Sequence, residues 1–97
     1  MYKEYWSERA ANDLDIIVTY LRLQWSDKVA EKFIKKTEDI IAQLRIKPTL
    51  YPVIVERQEI RRVVITQHNS LYYKITDDII YIVTIFDTRQ DIEKLKL

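Results

Sequence analysis

The apolar residues change their period partway along the chain, and that change decides what it can fold into. Up to Lys47 they recur at three- and four-residue steps. Beyond Pro52 they fall into short β-branched and aromatic runs. Met1 to Trp6 reads as a short first strand. Ser7 is placed to cap a helix, with Glu8 in its first turn where the dipole favours a negative charge. Ala10, Leu14, Ile17 and Leu21 give this helix one apolar stripe, running to about Trp25. Ser26 caps a second helix, with Trp25 and Ala30 at the staple positions around the cap. Ala30, Phe33, Ile34, Ile41 and Leu44 form its stripe. It must stop near Lys47, because Pro48 cannot continue it. So direct a join makes an antiparallel helical hairpin.

The second half predicts four strands, Val53–Val55, Ile60–Thr66, Leu71–Thr76 and Ile79–Phe86. Arg57-Gln58-Glu59, Gln67-His68-Asn69 and Asp77-Asp78 separate them. The chain has no glycine, so turns needing a left-handed residue fall to Asn and Asp. The tail from Asp91 to Leu97 starts a further helical turn. The expected class is α+β: one domain over residues 1–97, ordered β-α-α-β-β-β-β. Its helical hairpin covers one face of a twisted, mainly antiparallel sheet and leaves the other partly open to partners.

Composition excludes several functions. Without glycine there is no P-loop or dinucleotide fingerprint. Without cysteine there is no disulfide or thiolate metal site. The net charge of +1 over 97 residues leaves any affinity for nucleic acid to a local patch. The start carries no signal-peptide pattern and no run is long enough for a membrane span, so the expected location is cytoplasmic. No cofactor and no metal are expected, since one histidine and scattered carboxylates make no ligand cluster.

Four residues are candidates for chemistry. Arg61 and Arg62 are adjacent on one strand and point to opposite faces. Arg62 is the better candidate for the open face, sharing its side with Val64 and Thr66. Both are equally well explained as solvated sheet charges. His68, the single histidine, has a ring suited to general-base work near pH 7, yet no nucleophile stands clearly beside it. Arg89, just past the last strand, suits a phosphate or a partner carboxylate, or else pairs with Asp87 or Asp91. Tyr73 travels with Leu71 and Ile75 and reads as core. Tyr72 and Lys74 travel together and read as an open-face pair able to stack or anchor a partner. The lysines of the second helix alternate with acids, as on a solvated face.

These pieces together resemble the RelE/ParE toxin superfamily, the plasmid stabilisation proteins. The resemblance rests on Ile60-Arg61-Arg62-Val63-Val64-Ile65, His68-Asn69-Ser70-Leu71-Tyr72-Tyr73-Lys74-Ile75, Asp77-Asp78-Ile79-Ile80-Tyr81-Ile82-Val83, Ile85-Phe86-Asp87-Thr88-Arg89-Gln90-Asp91 and Lys94-Leu95. On the helices it includes Ala10, Asp13, Leu14, Ile17, Tyr20, Ala30, Phe33, Leu44, Pro48 and Tyr51-Pro52. It implies the toxin of a type II toxin–antitoxin system, neutralised by a cognate antitoxin. RelE-type members cut mRNA on the ribosome without a metal, whereas ParE-type members poison DNA gyrase. Arg89 matches the post-strand arginine of the nucleases, and Arg61 falls close to a basic strand position. Ser70 replaces a further arginine, and Leu95 falls near the place of the C-terminal proton-transfer tyrosine. The resemblance therefore favours a ParE-like toxin that acts by binding protein, with Arg62, Tyr72, Lys74 and Arg89 in partner contact. An mRNA endonuclease using Arg61 or Arg62, His68 and Arg89 is the alternative, and a non-toxic binding module is another.

Overall fold

The computed structural model describes residues 1–97. The first strand, β1 (Lys3–Trp6), leads into α1 (Glu8–Gln24) and α2 (Asp27–Ile46). Ser7 caps α1 by accepting from the Ala10 amide, and Ser26 caps α2 by accepting from Val29. Each serine thus takes up an amide that the first helical turn leaves unpaired. A 3-10 turn over Pro48–Leu50 ends the hairpin. Then come β2 (Val53–Val55), β3 (Ile60–Thr66), β4 (Asn69–Thr76) and β5 (Ile79–Asp87). A short 3-10 turn, Ile92–Lys94, lies in the tail.

The sheet order is β1-β5-β4-β3-β2, with β1 parallel to β5 and every other pair antiparallel. The α+β order and the mixed, mainly antiparallel sheet agree with the sequence reading. Asp77 takes the left-handed conformation expected between β4 and β5, at φ 54°. Glu59, also at φ 54°, does the same before β3, where the reading reserved such turns for Asn and Asp. No helix is long and apolar enough to cross a membrane.

The main core lies between the hairpin and one face of the sheet. Ala10, Phe33, Ile41 and Leu44 of the helices pack on Val63, Leu71, Tyr73, Ile80 and Ile82. Fully burying a side chain of this size contributes ~1.5–3 kcal/mol, so this layer dominates stability. Tyr73 carries a phenol into it and donates to the Pro48 carbonyl at 2.6 Å. Arg61 donates to the carbonyls of Tyr51 (2.5 Å) and Thr49 (3.4 Å). The chain's crossing from helix to sheet is held by these two side chains.

A smaller second cluster covers part of the opposite face. Ile60, Tyr72 and Phe86 are roofed by Leu95, which is buried, and by Leu97. The tail reaches them because Arg9 of α1 donates to the carbonyls of Lys94, Leu95 and Lys96. The face expected to be open is therefore partly closed by the chain's own end.

The contact between α1 and β5 is made at a bulge, where the register slips between Tyr72 and Tyr73 and leaves Val83 as the extra residue. Ser7 donates its hydroxyl to the Val83 carbonyl (2.7 Å) and its amide to Ile82 (3.0 Å). Asp13 accepts from the Thr84 hydroxyl and from the Ile85 amide (3.2 Å). A hydrogen bond to a charged acceptor contributes about 1.5–3 kcal/mol net. Asp13→Ala is expected to cost about 2 kcal/mol, read as a lower urea midpoint with the slope unchanged.

Burial pushes the Tyr73 phenol up to about 12, against the pull of nearby Arg61. A raised folded value means the stabilisation is complete below pH 10.0, the ordinary value, and is lost as pH rises through about 12. Urea melts from pH 8 to 12 are expected to show that alkaline loss in the native chain and a shallower one in Tyr73→Phe.

Candidate functional site

The tip of the helical hairpin overhangs the end of the sheet where β3 turns into β4 and β5 runs out. Between them lies a groove of about 450 Å³. Its floor is Ile17, Leu21 and Phe33, which face the core as the helical period dictates. Tyr20, Trp25 and Val29 form the wall, and Lys32, Lys36, His68 and Arg89 carry the polar rim. Tyr20 is 49% exposed and Trp25 71% exposed, so the groove opens onto uncovered aromatic surface.

Local hydrogen bonds set the sheet side of the rim. The Thr66 hydroxyl donates to the Asn69 side-chain oxygen at 2.9 Å and accepts from the His68 amide at 3.3 Å. The Thr88 amide donates to the His68 carbonyl at 2.8 Å. That last bond brings the post-β5 segment beside the β3–β4 turn. His68 and Arg89, 21 positions apart in sequence, thereby line one groove.

Arg89 is not free. Its Nε donates to one Asp87 carboxylate oxygen at 3.0 Å and its Nη2 to the other at 2.9 Å, while its amide donates to the first at 2.9 Å. This forked pair is the strong arrangement for a guanidinium and a carboxylate. The Arg89 hydrogen bonds hold the Asp87 carboxyl below the ordinary carboxylate range, and His68 adds a smaller pull in the same direction. The Asp87 partnership raises the Arg89 guanidinium further, with a smaller contribution from Tyr20. An imidazole and a phenol therefore stand within electrostatic reach of this ion pair, although neither hydrogen-bonds to Arg89.

The remaining sequence candidates lie elsewhere. Arg61 points to the helix side and is spent on the Tyr51 and Thr49 carbonyls. Arg62 is exposed on the opposite face, as parity suggested. It sits four residues from the groove end of β3, about 13 Å along the strand. Lys74 lies on that face too, its ammonium 5.4 Å from the centroid of the Tyr81 ring, which stacks on Tyr5. Tyr72 is on the expected face but is 2% exposed, because Leu95 and Phe86 cover it. It offers a partner no ring, which corrects its reading as an exposed anchor.

The structure brings together His68 and Arg89 but sets Arg62, Tyr72 and Lys74 apart from them. It adds Tyr20, Trp25, Lys32 and Lys36, which sequence reasoning did not single out as site residues. A signal for the first was present. Ile16, Tyr20 and Leu23 follow one another at helical spacing, off the core stripe, and are 60%, 49% and 78% exposed. A second apolar stripe on a helix marks surface held for a partner.

The Asp87–Arg89 fork has a direct test. Carboxyl NMR is expected to show Asp87 titrating below the usual value of about 3.9 in the native chain. In Arg89→Ala it should return toward that value.

Comparison with known proteins adds three findings. The sequence profile of the family described as the ParE toxin of type II toxin-antitoxin system, parDE, matches residues 5–92. Among solved structures, one described as a chromosomal ParDE TA system from P. aeruginosa aligns with a TM-score of 0.63 at 21% identity, covering 90% of this chain and 96% of that one. A copper-bound mutant toxin from Helicobacter pylori aligns with a TM-score of 0.65 at 21% identity, covering 92% and 97%. Both share the fold. Compared with curated protein sequences, the chain matches none.

Proposed function

This chain belongs to the ParE toxin family of type II toxin–antitoxin systems, and from that premise we propose that it is a toxin acting by protein binding, with DNA gyrase as its target. A cognate antitoxin holds it inactive, and the pair works in the cytoplasm. The description of the P. aeruginosa neighbour as a ParDE system supports an antitoxin as partner.

One observation carries the choice of binding over cleavage. By the family resemblance Leu95 falls near the place of the proton-transfer tyrosine of the nucleases, and it is a buried aliphatic side chain seated on Ile60, Tyr72 and Phe86. Leu95 has no proton to exchange and it covers the one phenol of that seat, Tyr72, which is 2% exposed, whereas RNA cleavage needs a proton donor or acceptor within reach of the substrate. Ser70, at the place of a further arginine, is buried as well.

The groove at the hairpin tip suits a protein segment. Its floor is apolar, Tyr20 and Trp25 supply large exposed rings, and Lys32 and Lys36 add positive charge. Aromatic anchors inside a polar rim are the usual composition of a protein interface. The antitoxin segment that fits is amphipathic, with apolar residues for the floor and acids for the lysines. Arg62 and Lys74, on the far face, are available to the target.

A second reading has a specific observation behind it. His68, Tyr20 and Arg89 line one groove, so an imidazole, a phenol and a guanidinium are gathered as a metal-independent endonuclease would require. Against it stands the fork with Asp87, which occupies two of the Arg89 donors.

Expression without an antitoxin separates the readings. Gyrase poisoning predicts a DNA-damage response while translation continues, and loss of supercoiling by purified gyrase on adding the protein. Prompt translation arrest with cut mRNA, lowered at least tenfold by His68→Ala and by Arg89→Ala, would establish the second reading instead. A chain with no effect on growth would be a binding module alone. Trp25→Ala and Lys36→Glu are each expected to weaken antitoxin binding at least tenfold with the unfolding midpoint unchanged.

A further inference from the structure

The sheet face away from the helices is only partly roofed by the tail, and the bare part is aromatic and cationic. Tyr5 of β1 and Tyr81 of β5 are partners in register, and their rings stack with centroids 5.4 Å apart and planes at 14°. Lys74 of β4 flanks Tyr81 on its other side, its ammonium 5.4 Å from the ring centroid. That cation–π contact holds a long side chain in place before a partner arrives, so less freedom is lost on binding. Arg62 of β3 is exposed and stands opposite Tyr72, two residues from Lys74 and on the same face. The two cations are therefore diagonal neighbours, about 7–8 Å apart at the backbone.

Neither Arg62 nor Lys74 makes a salt bridge within the chain. β3 and β4 contain no acidic residue, and the one in β5, Asp87, is at the far end of its strand and held by Arg89. Lys3, on the same face as Tyr5, does have an acid, Asp78 at 4.0 Å. The anion that complements Arg62 and Lys74 must come from another molecule, and ring geometry decides which kind. A nucleobase binds by stacking on a free ring face. Both faces of Tyr81 are taken, one by Tyr5 and one by Lys74. A net charge of +1 also gives a phosphate chain little to follow. Protein carboxylates need no free ring face. A guanidinium takes one by a fork, an ammonium takes another, and phenol hydroxyls donate to the polar groups beside them.

We infer that Arg62 and Lys74, with the Tyr5–Tyr81 stack beside them, grip an acidic patch on the surface of the target protein. One carboxylate sits on the Arg62 fork and another on the Lys74 ammonium. The two rings supply the apolar area that excludes water around them. This rests on the reading that the chain acts by binding protein, and it gives the target a surface separate from the hairpin tip. Lys74 is five residues from the groove end of β4, about 17 Å along the strand. An antitoxin segment in the groove and the target on the far face meet different residues.

The test measures binding of the full chain to purified gyrase and the loss of supercoiling that follows. Arg62→Glu and Lys74→Glu should each raise the concentration for half-inhibition at least tenfold, with the unfolding midpoint unchanged. Lys28→Glu, at an exposed position of α2, changes the net charge equally and should inhibit as the native chain does. Should a reversal unfold the chain, Lys74→Met and Arg62→Gln remove the charge alone and give the same readout. Inhibition that survives loss of both charges would overturn the inference and leave the gyrase reading standing. An equal loss in Lys28→Glu would also overturn it, since net charge would then suffice. Tighter binding to a mixed-sequence single-stranded DNA than to gyrase, lost in the same variants, would assign the face to nucleic acid and overturn it too. A native chain that neither binds nor inhibits gyrase would overturn the inference and the gyrase reading together.

Discussion

Asp13 and Ser7 clamp α1 onto the bulge in β5, and the placing of the hairpin-tip groove follows from that clamp. The bulge puts a carbonyl and an amide where α1 takes them up through one hydroxyl and one carboxylate. Such pairing costs little when complete and much when broken, because each partner left alone would be a buried polar group without a bond. With α1 fixed there, its C-terminal half must overhang the end of the sheet. The hairpin tip then faces the β3–β4 turn, and Tyr20 comes to stand near Arg89.

The same clamp explains why the sheet has two unlike faces. Helices cover one side and the tail crosses the other, held by Arg9 from the first turn of α1. Leu95 settles on Tyr72 because the aromatic pair Tyr72 and Phe86 would otherwise lie bare. The seat of Leu95 on Ile60, Tyr72 and Phe86 is thereby closed to solvent. What remains exposed is an apolar hairpin tip, a cationic rim and an edge strand, which are features of a molecule that binds other proteins.

Much of the fold was legible in the residues. Both serine caps, the stop at Pro48, the split between core Tyr73 and its neighbour, and the left-handed Asp77 all follow from local rules. They are legible because each depends on neighbours within a few positions. Tyr72 was misread for the opposite reason. Its cover comes from Leu95, 23 positions on, and no local pattern announces that the tail will cross the sheet. The Asp87–Arg89 fork was foreseen as one of two uses for Arg89, since the partners are two residues apart.

Sequence by itself determined the order of elements, the helix-covered face and the lack of a tyrosine or histidine among residues 90–97. Those are properties of composition and period, which no packing can alter. Only the tertiary structure decided that His68, Tyr20 and Arg89 share a groove, that the far face is half closed, and that β1 leaves its outer edge unpaired. Each of these depends on where distant segments meet, and that is set by the free energy of burying the whole core rather than by any stretch within it.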